Sequence, residues 1–105
     1  MGTEYIIRFD LDDPGRAEWI LENAPFFSGR TEYQGRPFYE FRRPDTLGGM
    51  PDATAMIEAE GIYFCEYGRS GEILNAILSQ VKADFGQAML QAYEEYLDDR
   101  DSGGS

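Results

Sequence analysis

The residues able to carry chemistry are few, and an absence frames them: the chain has no histidine. Histidine is the usual general base near neutral pH and the commonest transition-metal ligand. Without it, Ser-His-Asp and Cys-His catalysis are closed to this chain in their ordinary forms. Zinc sites built from Cys and His are closed as well, because Cys65 is the single residue of either kind. Cys65 stands in an apolar, aromatic run, Tyr63-Phe64-Cys65-Glu66-Tyr67, with an acid beside it. Such an apolar setting suits a packed structural cysteine better than a reactive one.

Asp10, Asp12, Asp13, Gly15 and Glu18 echo part of a calcium loop. Counted from Asp10, Gly15 falls correctly at the sixth position, but Pro14 takes the fifth and Leu21 the twelfth, where a bidentate Glu is required. Helix capping, with acids near the positive end of a helix dipole, accounts for the cluster better. Gly68-Arg69-Ser70-Gly71 joins an expected strand to an expected helix. Free backbone amides, the Ser70 hydroxyl and the Arg69 guanidinium could hold a phosphate or carboxylate there, which makes Arg69, Ser70 and Gly71 a candidate anion site. The spacing is not that of a Walker loop, and Glu72 replaces the last glycine of a nucleophile elbow. The plainer role is a strand-to-helix turn with Ser70 as N-cap. Many carboxylate pairs can be drawn, but nothing selects one or sets it in an apolar pocket. No catalytic residue, metal site or cofactor is assigned.

Two further groups suit contact with another macromolecule. Glu94, Glu95, Asp98, Asp99 and Asp101 crowd the end of the last expected helix, with Arg100 alone opposing them. Acids at a helix C-terminus oppose its dipole and cost local stability, which a partner, or a solvated fraying end, would explain. Arg30, Arg36, Arg42 and Arg43 lie beside Tyr33, Phe38, Tyr39 and Phe41, and Arg and Tyr are enriched at interface hot spots. In the plainer account those aromatics are core and the arginines pair with local acids such as Glu32 and Glu40.

The elements that must position these residues read as follows. Residues 3–11 alternate as a strand, with Tyr5, Ile7, Phe9 and Leu11 on one face and Ile6 the odd apolar residue on the other. Asp12 or Asp13 caps a helix with Pro14 in its first turn and a stripe of Ala17, Ile20, Leu21 and Ala24, ended by Pro25. Gln34-Gly35 turns a short strand (31–33) into a longer one (38–43). A Gly- and Pro-rich loop, 44–52, reads as mobile. Residues 53–59 and 62–67 form a second hairpin around Glu60-Gly61, unless the first is a short helix. Leu74, Ile77, Leu78, Val81, Phe85, Ala88, Met89, Ala92 and Tyr96 recur at helical spacing, with Gly86 able to bend or break the run. The expectation is one α+β domain over residues 1–101 with a disordered tail over 102–105. Its antiparallel sheet has three to five strands, with two helices on one face: βαββ(ββ)α, a ferredoxin-like variant.

Composition narrows the function. The chain has 105 residues, 42% hydrophobic and 14% aromatic, which suits a single folded domain. Nine basic residues face twenty acidic ones, for a net charge of -11. Such a surface repels nucleic-acid phosphates and anionic membranes and favours encounter with basic proteins. The lone cysteine and the lack of a signal-peptide pattern or a membrane-spanning run lead to the expectation of a cytoplasmic protein, monomer or homodimer. The leading expectation is a small non-enzymatic module, inhibitor- or immunity-protein-like, docking on a basic partner protein. Glu94, Glu95, Asp98 and Asp99 would make the contact, with Tyr93 or a hairpin aromatic as anchor. The alternatives are a small-ligand-binding or catalytic α+β homodimer using the 68–71 turn, a nucleic-acid mimic, and a structural subunit of an assembly. A pocket lined by Tyr39, Tyr63 and Tyr67 with a convergent arginine would favour the first alternative.

Overall fold

A computed structural model of the chain describes the backbone of residues 2–103 and the side chains of residues 2–100. The elements run β1 (Thr3–Arg8), α1 (Pro14–Glu22), β2 (Phe27–Tyr33), β3 (Arg36–Phe41), β4 (Ala53–Glu58), β5 (Gly61–Glu66), α2 (Gly71–Phe85), β6 (Met89–Ala92) and α3 (Tyr93–Gly103). The strands form one sheet of six in the order β2-β3-β4-β5-β1-β6, and every neighbouring pair is antiparallel. The α+β class is as expected. The sheet is larger than three to five strands, and there is a third helix. A meander from β2 to β5 takes the place of the split βαβ units of a ferredoxin-like arrangement.

Local chemistry explains most boundaries. Asp13 is the N-cap of α1, its carboxylate accepting from the Arg16 amide at 3.1 Å, with Pro14 in the first turn. Gln34 and Gly35 both have positive φ, 53° and 78°, as the tight turn between β2 and β3 demands. Residues 53–58 are strand, not helix: Ala53 and Ala55 are fully buried under α1, and β5 pairs with them along its length. The turn itself is Ala59-Glu60, one residue earlier than the Glu60-Gly61 expectation. Gly61 already belongs to β5, where it pairs with both Glu58 and Arg8. A Cβ on Gly61 would lie 1.9 Å from the Ile7 carbonyl oxygen, so only glycine permits this approach of β1.

The core lies between the sheet and the pair α1 and α2, centred on Ile7, Ile20, Phe41, Phe64, Ile73 and Ile77, each at most 2% exposed. Tyr39 also faces this core. The long helix expected to reach Tyr96 stops at Phe85. Gly86 takes φ 88° and donates its amide to the Lys82 carbonyl at 2.9 Å. The chain then adds β6 to the free edge of β1 and drops α3 onto the opposite face of the sheet. Ile6, expected outward, is fully buried there, where α3 crosses β1.

The 44–52 loop is bridged by hydrogen bonds to its own backbone and side chains. The Arg42 guanidinium donates to the carbonyls of Gly48, Gly49 and Met50 at 3.1–3.2 Å. Asp52, 5% exposed, accepts from the Arg43 amide at 2.7 Å and from the Thr46 hydroxyl. Ser102 and Gly103, expected in a tail, are assigned to α3, while residues 104 and 105 lie outside the described residues.

Burial alone would raise the Asp52 carboxyl, but the bonds from Thr46 and Arg43 and the charges of Arg69 and Arg43 outweigh it and hold it below the usual carboxylate range. Its stabilising contribution is therefore complete above that range and lost as pH falls through the lowered value. Asp52→Asn should lose about 1–3 kcal/mol at neutral pH in urea unfolding, and the gap to wild type should close in strong acid. Gly86→Ala should cost about 1–2 kcal/mol, because alanine meets no steric clash there but resists positive φ.

Candidate protein-binding face

The site is built on the sheet face that α1 and α2 leave open. Alternation along the strands turns Glu4, Phe38, Thr54, Met56, Glu58 and Tyr63 to this side, because their neighbours Tyr5, Tyr39, Ala55 and Phe64 turn to the core. Helix α3 packs mainly on β1 and β6, and through Tyr93 it reaches Tyr63 of β5 and Glu58 of β4. Between α3 and the β2–β3 hairpin lies a groove of about 440 Å³, to which Tyr33, Arg36, Tyr67 and Tyr93 add their side chains.

One contact group fixes the α3 wall. Tyr96 is 2% exposed, and its hydroxyl donates to Glu60 at 2.9 Å. The Arg8 and Arg100 guanidinium groups lie 5.3 and 5.5 Å from its ring centre, and both reach Glu60, at 3.5 and 3.9 Å. Tyr93 packs edge-on against Tyr63 with ring centres 4.9 Å apart, and its hydroxyl donates to both carboxylate oxygens of Glu58 at 3.2 Å. The Tyr63 hydroxyl donates to Glu4. Burial first, and these carboxylates second, push the phenols of Tyr63, Tyr93 and Tyr96 up. Across the physiological range they are therefore neutral donors, each aimed at a fixed carboxylate.

The acids of α3 sit on the other side of that helix. Glu94, Glu95, Asp98 and Asp99 are all exposed, at i, i+4 spacing in adjacent rows. Asp99 accepts from the Gln91 amide at 2.8 Å, and none of these acids is in an ion pair among the described residues. The expected cost to the helix dipole is reversed for part of the group. Because α3 begins at Tyr93, Glu94 and Glu95 stand in its first turn, where negative charge is favourable. Tyr93 is half-buried and joins the acidic helix to the groove.

The candidate anion site lies elsewhere, at the opposite end of β5 from Glu60. Arg69 is forked onto Asp45, at 3.0 and 2.9 Å, and holds that carboxyl below its usual range. The turn thus meets a carboxylate from its own chain. Ser70 is the N-cap of α2 but makes no side-chain cap; it is 1% exposed, and its hydroxyl contacts the Gly68 carbonyl at 3.4 Å, with Gly71 following as the first residue of α2. The hairpin arginines do not converge either. Arg30 reaches Glu18 and Glu22 at 3.6 and 3.7 Å, and Arg43 reaches Glu72 at 3.5 Å, partners other than the expected Glu32 and Glu40.

Of the pocket expected from Tyr39, Tyr63 and Tyr67, the groove holds Tyr63 and Tyr67, with Arg36 as its arginine. Tyr39 is fully buried on the core side, where burial raises its phenol. Sequence reasoning missed Glu4 and Glu58. The signal for Glu58 was its alternation with Met56 and Thr54, legible only once 53–58 is read as strand.

Replacing Tyr96 should release the α3 wall. Tyr96→Ala should cost about 3–5 kcal/mol, and amide exchange should show α3 opening before the sheet. Tyr96→Phe, which loses only the bond to Glu60, should cost about 1–2 kcal/mol in urea unfolding.

Comparison of the chain with protein-family models, with curated proteins and with solved structures finds no match in any of the three.

Proposed function

We propose that this chain is a small non-enzymatic protein-binding module that docks on a basic partner protein, as an inhibitor or immunity protein covers a cationic site. The observation that carries this reading is the asymmetry of charge pairing. Every arginine is engaged within the chain: Arg8, Arg16, Arg30, Arg43, Arg69 and Arg100 with carboxylates, Arg36 and Arg42 with backbone carbonyls. Many of the remaining acids face solvent, and Glu94, Glu95, Asp98 and Asp99 concentrate part of that excess on one helix face. Such a face speeds encounter with a positive surface and disfavours negative ones, including nucleic acid.

The small-ligand alternative draws on Tyr63, Tyr67 and Arg36 in the groove. Arg36 is bonded to the Ile57 carbonyl at 2.7 Å and Arg69 is forked onto Asp45, so both arginines that reading would use already have partners. Among the described residues no helix is long and apolar enough to cross a membrane. Cys65, buried and unpaired, fits a reducing compartment, and action in the cytoplasm is part of the same proposal.

The test is capture from native extract with wild type and with the combined variant Glu94→Gln, Glu95→Gln, Asp98→Asn, Asp99→Asn. A stoichiometric basic protein should be held by wild type at low salt, leave at high salt, and be lost from the variant. Equal retention by both chains, or no basic protein at low salt, overturns the proposal.

A further inference from the structure

We infer that the groove beside α3 receives a cationic side chain, lysine or arginine, projected from the basic partner. The inference rests on the protein-binding reading and adds a pocket and a ligand class to it.

The groove combines ring faces with carboxylates that lack a cation. Tyr33 and Phe38 stand at the hairpin end with ring centres 5.9 Å apart, and Tyr63 and Tyr93 stand at the α3 end. Glu4 and Glu58 lie among them. Among the described residues six acids, Glu18, Glu22, Asp45, Glu60, Glu72 and Asp84, have an arginine within 4 Å; Glu4 and Glu58, like the acids of α3, are not among them. Glu4 and Glu58 have tyrosine hydroxyls instead, and no ion pair to either is present among the described residues. A carboxylate that accepts from one hydroxyl keeps further lone pairs for a second donor. The neutral phenols orient these carboxylates without cancelling their charge.

An ammonium or guanidinium group entering here would meet negative charge and aromatic faces together, and such contacts strengthen as water is excluded. The groove's own cation, Arg36, donates to the neutral Ile57 carbonyl and keeps its charge, but the two carboxylates outnumber it. The long apolar stem of lysine or arginine would lie along Met56 and Phe38. An acidic or phosphorylated ligand would face Glu4 and Glu58 directly, and the geometry disfavours it.

The probes are a short, otherwise neutral peptide bearing one arginine, and the same peptide with citrulline, which keeps the shape and loses the charge. The readout is the ring resonances of Tyr33, Tyr63 and Tyr93 in the full chain. Saturable shifts should appear with the arginine peptide, and the citrulline peptide should bind about tenfold more weakly. Glu4→Gln with Glu58→Gln should weaken the arginine peptide similarly while leaving the urea midpoint near wild type, since glutamine still accepts from the tyrosines. The combined α3 variant should leave the shifts in place. Equal binding of both peptides, no saturable shift, or indifference to the Glu4 and Glu58 changes overturns the inference. If it fails while α3-dependent capture succeeds, the partner docks on α3 without using the groove, and the broader reading stands.

Discussion

The positive-φ turn at Gly86 determines the architecture of the functional side of this molecule. Helical periodicity continues past Phe85 as far as Tyr96, and a residue content to stay helical at 86 would let the run extend along one side of the sheet. Glycine adopts φ 88° without the Cβ conflict that other residues meet, and the helix ends there. The ring of Phe85 packs against Phe9 at 4.7 Å and anchors the exit point. From that point the chain pairs with β1 as an edge strand and crosses to the other face. The six-stranded sheet, the burial of Ile6 and the wall of the groove all follow from that crossing.

Electrostatics organise the surface in two tiers. The arginines act inward: they clamp α1 to α2 through Arg16 and Asp84 at 2.9 Å, hold the 44–52 loop through Arg42 and Arg69, and pin α3 through Arg8 and Arg100. Most of these pairs are solvent-exposed and contribute little each, about 0–1 kcal/mol, so their importance lies in geometry more than in stability. Because they occupy the cations, the net charge of -11 is expressed as unbalanced carboxylate. Self-repulsion of that excess opposes compactness. The buried ring of Tyr96 and its bond to Glu60 counter it where the acids of α3 are densest.

Much of the fold is legible from local chemistry. The Asp13–Pro14 start of α1, the apolar stripe of Ala17, Ile20 and Leu21, the Gln34-Gly35 turn and the two-sided aromatic pattern of Phe38, Tyr39 and Phe41 each carry a signal within a few residues. Residues 53–58 were ambiguous because alanines fit helix or strand, and burial under α1 decides the matter. The number of strands was beyond reach for the same reason: β6 is Met89–Ala92, a stretch that fits helical spacing equally well and becomes a strand only because β1 offers an open edge. The candidate site divides along the same line. The acids of α3 are visible as residues, whereas Glu4 and Glu58 gain meaning only from the tyrosines that long-range pairing sets against them.

By itself, then, the sequence determined the chemistry in play: no histidine, one cysteine, a large acid excess, and aromatics enough for a core and a surface. Composition and local spacing determine these because charge and backbone preference are properties of short segments. Tertiary structure alone decided which arginines are occupied, that Asp45 meets Arg69 at the turn once open to an anion, and that Glu94 and Glu95 open a helix instead of closing one. It also decided that Tyr39 faces the core while Tyr63 faces the groove. Those outcomes depend on strand register and on the side of the sheet to which the chain crosses, and both are settled by contacts between residues far apart in sequence.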